Sequence, residues 1–392
     1  MTAAPAIALH TTVPVTRVPR ALDPALSAKL RFWSLMAMVL LVYVHAFNLQ
    51  PRYLQPFTLV EASATWDRAL QYLLANGLLR FRIPILFAIS GYLFAFRDDG
   101  RASYRSRVLR RARTLGIPYL AWSAIAIAIT FALEQWRVTR GYVASAGLSP
   151  FQPEAFFVGQ YSLPQLTIRW LMDPVAFQLW FLRTLLLLVL LYPWLRTAVT
   201  RWPRTFFTIA TIYWLPVGGL PFLDGEGLLF YSLGVWLAVR DVNVVAQPAW
   251  VRVRLFGALW LILCAVRTWI AFAFHDVNTP IFFGMLLLYR ASELFGLLTA
   301  WYGFDGLAQN AMQRGWFRWL TGFSFIIYAL HVPLLNYATE ASLALGAAVP
   351  LISLWTYLFV PLAICAFAVL VGAALRRIAP PMYSVLTGGR GL

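Results

Sequence analysis

Charge is what this chain has least of. Only 12% of its 392 residues are Asp, Glu, Lys or Arg, about half the share a soluble domain uses to cover a water-facing surface. A single water-soluble core of this size is thereby excluded. Cysteine is nearly absent: Cys264 and Cys365 both lie inside apolar stretches, which rules out a disulfide scaffold and leaves two packing thiols. Histidine occurs four times without any His/Cys cluster, so no metal is expected. No GxSxG elbow, HExxH, CxxC pair, Walker loop or GxGxxG is present. Readings as a soluble-type hydrolase, zinc enzyme, redox protein or nucleotide motor have no foothold.

What fills the space is apolar. Hydrophobic residues make up 61% of the chain, with 17 Trp, 17 Tyr and 29 Phe, and the mean hydropathy is +0.70. These values point to a polytopic membrane protein. The cations, 32 Lys+Arg against 15 Asp+Glu, fall between apolar runs and not in a stripe. Nucleic acid is therefore the weaker reading of the +17 net charge, and the lipid bilayer the stronger.

Ten apolar segments run at about 31–49, 76–96, 115–134, 177–195, 205–222, 227–240, 255–274, 281–302, 317–338 and 350–375. Most reach the roughly 20 residues that cross a bilayer core as helix. The fold class expected is an all-α helix bundle of about ten transmembrane helices. The fifth and sixth segments are predicted to form a broken or re-entrant unit, because one holds Pro216, Gly218, Gly219 and Pro221 and the other is short. Residues 1–29 read as an Ala/Pro/Thr-rich tail without a signal peptide, 30–378 as the membrane domain, and 379–392 as a second tail. With the N-terminus inside, 22 of the 32 cations fall on inner segments and five (Arg52, Arg68, Arg137, Arg140, Arg169) on outer loops. Both tails are then cytoplasmic and the membrane is the plasma membrane, the inner membrane in a bacterium. The outer loop at about 135–176 is too short for a domain and is placed to act as a lid or acceptor contact.

Ionisable groups inside a bilayer are costly and mark function. His45 ends the first span, where a neutral imidazole suits a general base; the alternative is a hydrogen-bonded interfacial histidine. His331 lies in the ninth span, two residues before Pro333, and reads as a structural hydrogen-bonder. Arg290 and Glu293 sit three apart on a helix and read as a neutralised pair. Arg82 and Arg183 either snorkel to the interface or hold an anionic ligand. Arg107, Arg110 and Arg113 recur at i, i+3 and i+6 in the inner loop, a spacing expected to stack guanidinium groups along one side. They read as a topology determinant touching anionic lipid or as a phosphate site.

Four blocks in order resemble the acyltransferase-3 family of integral membrane O-acyltransferases: VYVHAFN; RIPILFAISGYLFAF; RVLRRARTLGIPYLAW; and LWFLRTLLLL (with Trp180) together with FSFIIYALHVPLL. The resemblance spans roughly residues 28–340. It implies transfer of an acyl group, commonly acetyl from acetyl-CoA or another acyl-CoA, to a hydroxyl of a glycan or lipid-linked sugar. It makes His45 the essential histidine and Arg110 and Arg113 an Arg-x-x-Arg motif for CoA phosphates, with Arg107 beside them. Arg82 or Arg183, with the Ser90–Gly91 region, is the expected stabiliser of negative charge. Many members carry an arginine eleven residues before the histidine, where this chain has Ser34; Arg31, one turn earlier, is the available substitute. The alternative class is a transporter or flippase of an anionic or lipid-linked glycan, which has no need of a base at His45.

Overall fold

A computed structural model describes residues 21–49, 55, 57–60, 63–98, 103–216, 219–220 and 222–391. Arg17, Arg20, Arg52 and Arg101 of the charge count, with most of the 1–29 tail, lie outside the described residues. The chain is an all-α bundle. Its helices are α1 (Pro24–His45), α2 (Trp66–Tyr72), α3 (Arg82–Phe96), α4 (Tyr104–Arg111), α5 (Ile117–Glu134), α6 (Arg137–Ser145), α7 (Leu163–Leu171), α8 (Trp180–Arg201) and α9 (Pro203–Trp214). They continue with α10 (Gly225–Val239), α11 (Val253–Ala273), α12 (Thr279–Gly303), α13 (Asp305–Gln313), α14 (Gly315–Thr321), α15 (Ser324–Leu345), α16 (Ile352–Ile378) and α17 (Pro380–Thr387). Wide π-turns join α2 to α3 over Leu73–Leu78 and α4 to α5 over Ala112–Gly116.

Helix starts follow from side chains that take up orphan backbone N–H groups. The Asp23 carboxylate accepts from Leu26 N at 3.0 Å, just before Pro24. Asn278 does the same for Ile281 N at 3.0 Å, and Asp224 caps α10 through Glu226 N at 2.8 Å.

Among the described residues seven helices are long and apolar enough to cross a membrane, or eight if α14 and α15, bent by 60°, form one span. That is fewer than the ten segments the sequence suggests. The difference lies at α9 and α10, of 12 and 15 residues, both short of the roughly 20 that span a bilayer core. Between them Gly219–Leu220 pairs antiparallel with Leu223–Asp224, so these two helices form a tight hairpin. The Tyr213 hydroxyl holds it, donating to Leu223 O at 2.6 Å and accepting from Leu220 N at 2.6 Å.

Two glycines let α3 and α10 touch backbone to backbone. A Cβ on Gly91 would come within 2.0 Å of the Tyr231 carbonyl oxygen, and one on Gly234 within 2.1 Å of that of Ala88. Close approach of this kind is how helices associate in lipid, where apolar side chains alone give no driving force.

The 135–176 segment is strapped onto α5. Glu134 accepts from Val158 N and Gly159 N at 2.7 and 3.1 Å. Tyr119 donates to Leu171 O and Ser123 to Trp170 O at 2.9 and 2.8 Å. Arg169, buried, pairs with Asp173 at 2.5 Å and donates to Leu148 O.

Candidate active site

Proline at position 333 decides the local structure around His331. It brings no N–H and its ring crowds the preceding turn, so α15 breaks at Val332, whose φ and ψ of −103° and 133° are not helical. Carbonyls that a continuous helix would satisfy are then open to other donors. Gln178 takes them: its side-chain amide lies 3.3, 3.2 and 3.4 Å from the carbonyl oxygens of Tyr328, Ala329 and Val332. Tyr328 returns the tie by donating to Gln178 O at 2.8 Å. The turn before α8 is thus fixed against the break in α15.

That tie places Phe177 flat against His45, with ring centroids 4.8 Å apart and planes 15° from parallel. His45 is half-buried at the last turn of α1, which is anchored to α16 by Tyr43 donating to Leu358 O at 3.1 Å and Asn48 to Ser353 O at 3.0 Å. His331 meets the His45 ring edge to face, 5.3 Å between centroids. It is fully buried, and its Nδ1 lies 3.1 Å from Ile327 O. A carbonyl only accepts, so Nδ1 carries the proton and Nε2 keeps its lone pair. Among the described residues that Nε2 has no partner, nor has Nδ1 of His45. The expectation of a satisfied structural histidine at 331 is therefore met at one nitrogen and not at the other.

Arg82 is buried and donates to Leu79 O at 2.9 Å. Arg183 goes elsewhere: it donates to Met172 O and lies over the Phe222 ring at 4.4 Å, toward the α9–α10 hairpin. Trp180 opens α8 and packs near Phe87, 6.1 Å between centroids. Arg290 and Glu293 pair at 2.9 Å, but Glu226 joins at 2.9 Å on the same nitrogen, so the expected pair is a triad of one guanidinium and two carboxylates.

Beneath the histidines lies a cavity of about 210 Å³ between α1, α3, α8, α10 and α15. Ser34 and Ser90 line it, each turned back on its own helix by donating to Leu30 O and Leu86 O at 2.7 and 2.8 Å. Tyr328 and Phe181 form its wall toward the histidines, and the Tyr328 ring is 6.5 Å from that of His331. Arg111 and Arg390 line it as well. Arg31 is exposed and is not among the lining residues. A larger cavity of about 550 Å³ lies beside Trp236 and Trp301. Its lining is nearly all apolar, with only Tyr92, Tyr302 and Asn243 polar and no carboxylate, histidine or cation, so it lacks the convergent charged groups that mark a reaction site.

The inner-loop arginines are not stacked along one side, which corrects that expectation. Arg107 is buried, pairs with Asp98 at 2.5 Å and donates to Phe94 O at 2.5 Å. Arg110 and Arg113 are exposed. The residue that shares a face with Arg107 is Arg111; both guanidinium groups lie over the Phe94 ring, at 4.3 and 5.6 Å. Residues four apart diverge by about 40° on a helix, whereas Arg107 and Arg113 diverge by about 120°. Sequence reasoning thus missed Arg111, and with it Phe177, Gln178, Tyr231, Tyr328 and Arg390. For Arg111 the i+4 spacing was the available signal; Phe177, Gln178 and Tyr328 gain their roles only through the α15 break, and Tyr231 and Arg390 only through the packing around the cavity.

The family model described as an acyltransferase domain matches residues 33–377. Over 377 residues the chain is 26% identical to the succinoglycan biosynthesis protein ExoH of Rhizobium meliloti (strain 1021), covering 94% of each sequence. No solved structure matches it.

Proposed function

The chain belongs to the acyltransferase-3 family, and from that premise we propose that it moves an acyl group, acetyl in the simplest case, from acyl-CoA to a hydroxyl of a polysaccharide or its lipid-linked precursor. The basic end of the bundle faces the cytoplasm of a cell bounded by this plasma membrane, and donor enters there. The observation that carries the reading is the position of the cavity. It runs from Arg111 and Arg390 to Tyr328, one helical turn before His331. At about 210 Å³ it suits a slender thioester arm and not a nucleotide, since pockets for whole drug-sized ligands run from about 300 Å³. The nucleotide then stays at the basic end, where the exposed Arg110 and Arg113 are free to meet its phosphates. The relative named for succinoglycan biosynthesis favours a polysaccharide acceptor.

The chemistry needs a base, a positioned acceptor and charge stabilisation. His45 takes the proton of the acceptor hydroxyl as its oxygen bonds to the thioester carbonyl carbon. His331, held in one tautomer by Ile327, keeps a second imidazole beside it. Arg82 supplies positive charge for the oxyanion. Collapse breaks the C–S bond, and the leaving thiolate recovers the proton from the imidazolium. Product ester and free CoA thiol balance the step.

The test is the alkali-labile acyl content of cell polysaccharide, read by NMR in cells producing the chain or its His45→Gln form at equal protein level. Acyl groups are expected with the first and absent with the second. Acyl groups retained with His45→Gln, or absent from both, defeat the reading.

A further inference from the structure

We propose that Arg390, with Arg111 and the Tyr231 hydroxyl, forms an anion site at the basic end of this cavity that takes the pyrophosphate of the acyl donor. The identity of the anion rests on the acyl-CoA reading above; the site itself does not.

Three observations converge. The first is how Arg390 gets there. Gly388, Gly389 and Gly391 all have positive φ, at 63°, 76° and 75°, a region that costs other residues roughly 1–2 kcal/mol each. Contact is also tight, because a Cβ on Gly388 would sit 2.1 Å from Thr114 O and one on Gly391 2.0 Å from Gly322 O. The segment is pressed against the π-turn before α5 and the bend before α15. Arg376 holds it further, donating to Gly391 O at 3.1 Å. Arg390 is thereby delivered to the cavity, where Nη1 donates to Thr114 O and Thr387 O at 3.0 and 2.8 Å and the guanidinium lies over Phe325 at 4.8 Å.

The second is unbalanced charge. Among the described residues neither Arg111 nor Arg390 has a carboxylate partner. Burial, and after it the like charge of Arg111, bring Arg390 down to about 10 from the usual arginine range. Both are half-buried, and two cations lining one cavity repel unless an anion arrives. The third is an orphan donor. Tyr231 is 1% exposed, lines the same cavity, and its hydroxyl has no partner among the described residues. Buried hydroxyls are nearly always bonded; this one lines the cavity together with Arg111 and Arg390. Guanidinium groups with a hydroxyl donor are the set that recognises phosphate oxygens.

Calorimetric titration of the full-length protein in nanodiscs tests this, with inorganic pyrophosphate and acetyl-CoA as separate probes. Wild type is expected to bind both. Arg390→Ala should weaken both by about 10- to 100-fold, as loss of a charged hydrogen-bonding group does. Tyr231→Phe removes a hydroxyl that bonds nothing among the described residues, so it should weaken both by a smaller factor without lowering the melting temperature. If Arg390→Ala and Tyr231→Phe both bind pyrophosphate within about twofold of wild type, the site is overturned, and a melting loss confined to Arg390→Ala assigns that arginine to pinning the segment. If pyrophosphate behaves as expected but wild type does not bind acetyl-CoA, the anion site stands and the donor assignment falls.

Discussion

His45 and His331 meet edge to face with ring centroids 5.3 Å apart, one at the end of α1 and the other one residue before the break in α15. Each presents a nitrogen without a partner among the described residues. In the proposed reaction the two imidazoles act on one substrate position. Each single change, His45→Gln or His331→Gln, is expected to lower kcat/KM for acyl transfer by about 10² to 10⁴. The double variant should fall little below the worse single one, because groups acting as a unit are non-additive. Steady-state kinetics on the four proteins decides this, and simple multiplication of the two losses would separate the histidines into independent roles.

Arg107 and its neighbours in sequence are predicted to differ in kind. Arg107→Ala removes a buried ion pair to Asp98 and a bond to Phe94 O, a loss of about 1–3 kcal/mol. The exposed Arg110→Ala and Arg113→Ala should stay within about 0.5 kcal/mol of wild type. Thermal melting in detergent ranks them, and a larger loss at Arg110 or Arg113 would contradict the burial pattern.

Helix contact makes a sharper contrast among glycines. Gly91→Ala or Gly234→Ala drives a methyl into a backbone carbonyl and should cost at least the roughly 3 kcal/mol at the upper end for overpacking. Gly141, exposed in α6, has nothing within 4 Å of the place an added methyl would take. Gly141→Ala should stabilise by about 0.5–1 kcal/mol. Melting temperatures moving the same way in both classes would refute the close packing of α3 on α10.

Asp224, in the hairpin before α10, gives a pH test. Burial, and after it the charge of Glu226, push its carboxyl up to about 6 from an ordinary 3.8. Between those values the folded chain holds a proton that the unfolded chain has released. The stability from this group is therefore complete below about pH 4, falls as pH rises toward about 6, and is flat above. Asp224→Asn keeps a capping side chain but lacks this step. Melting curves of the two proteins should diverge only within that window; parallel curves would remove Asp224 as the cause.

The helical bundle was legible because apolar runs near 20 residues have few other uses. His45 was legible too, as a lone ionisable group closing such a run. The broken unit at 205–240 was legible as well, from Pro216 and the short sixth run, and there two short helices meet at the Tyr213-held hairpin. What escaped was most of what depends on side chains meeting across breaks in regularity. Arg107, Arg110 and Arg113 attract notice because they repeat, whereas the helix turns the unremarked Arg111 to the same ring as Arg107. Gln178 and Tyr328 gain meaning only once Pro333 has freed carbonyls for them, and Arg390 only once the glycines around it turn left-handed.

The pairing of His45 with His331 also sets an order of events during synthesis. Roughly 290 residues separate them, about 15–60 s of translation at ordinary rates. Across that interval α3, α8 and α10 are made in turn, while the second imidazole comes at its end and Arg390 later still. A chain stalled between α10 and α15 has both His45 and Phe177 but lacks the α15 wall of the cavity. On the proposed chemistry, reactive competence therefore arrives late, after most of the membrane scaffold has been laid down.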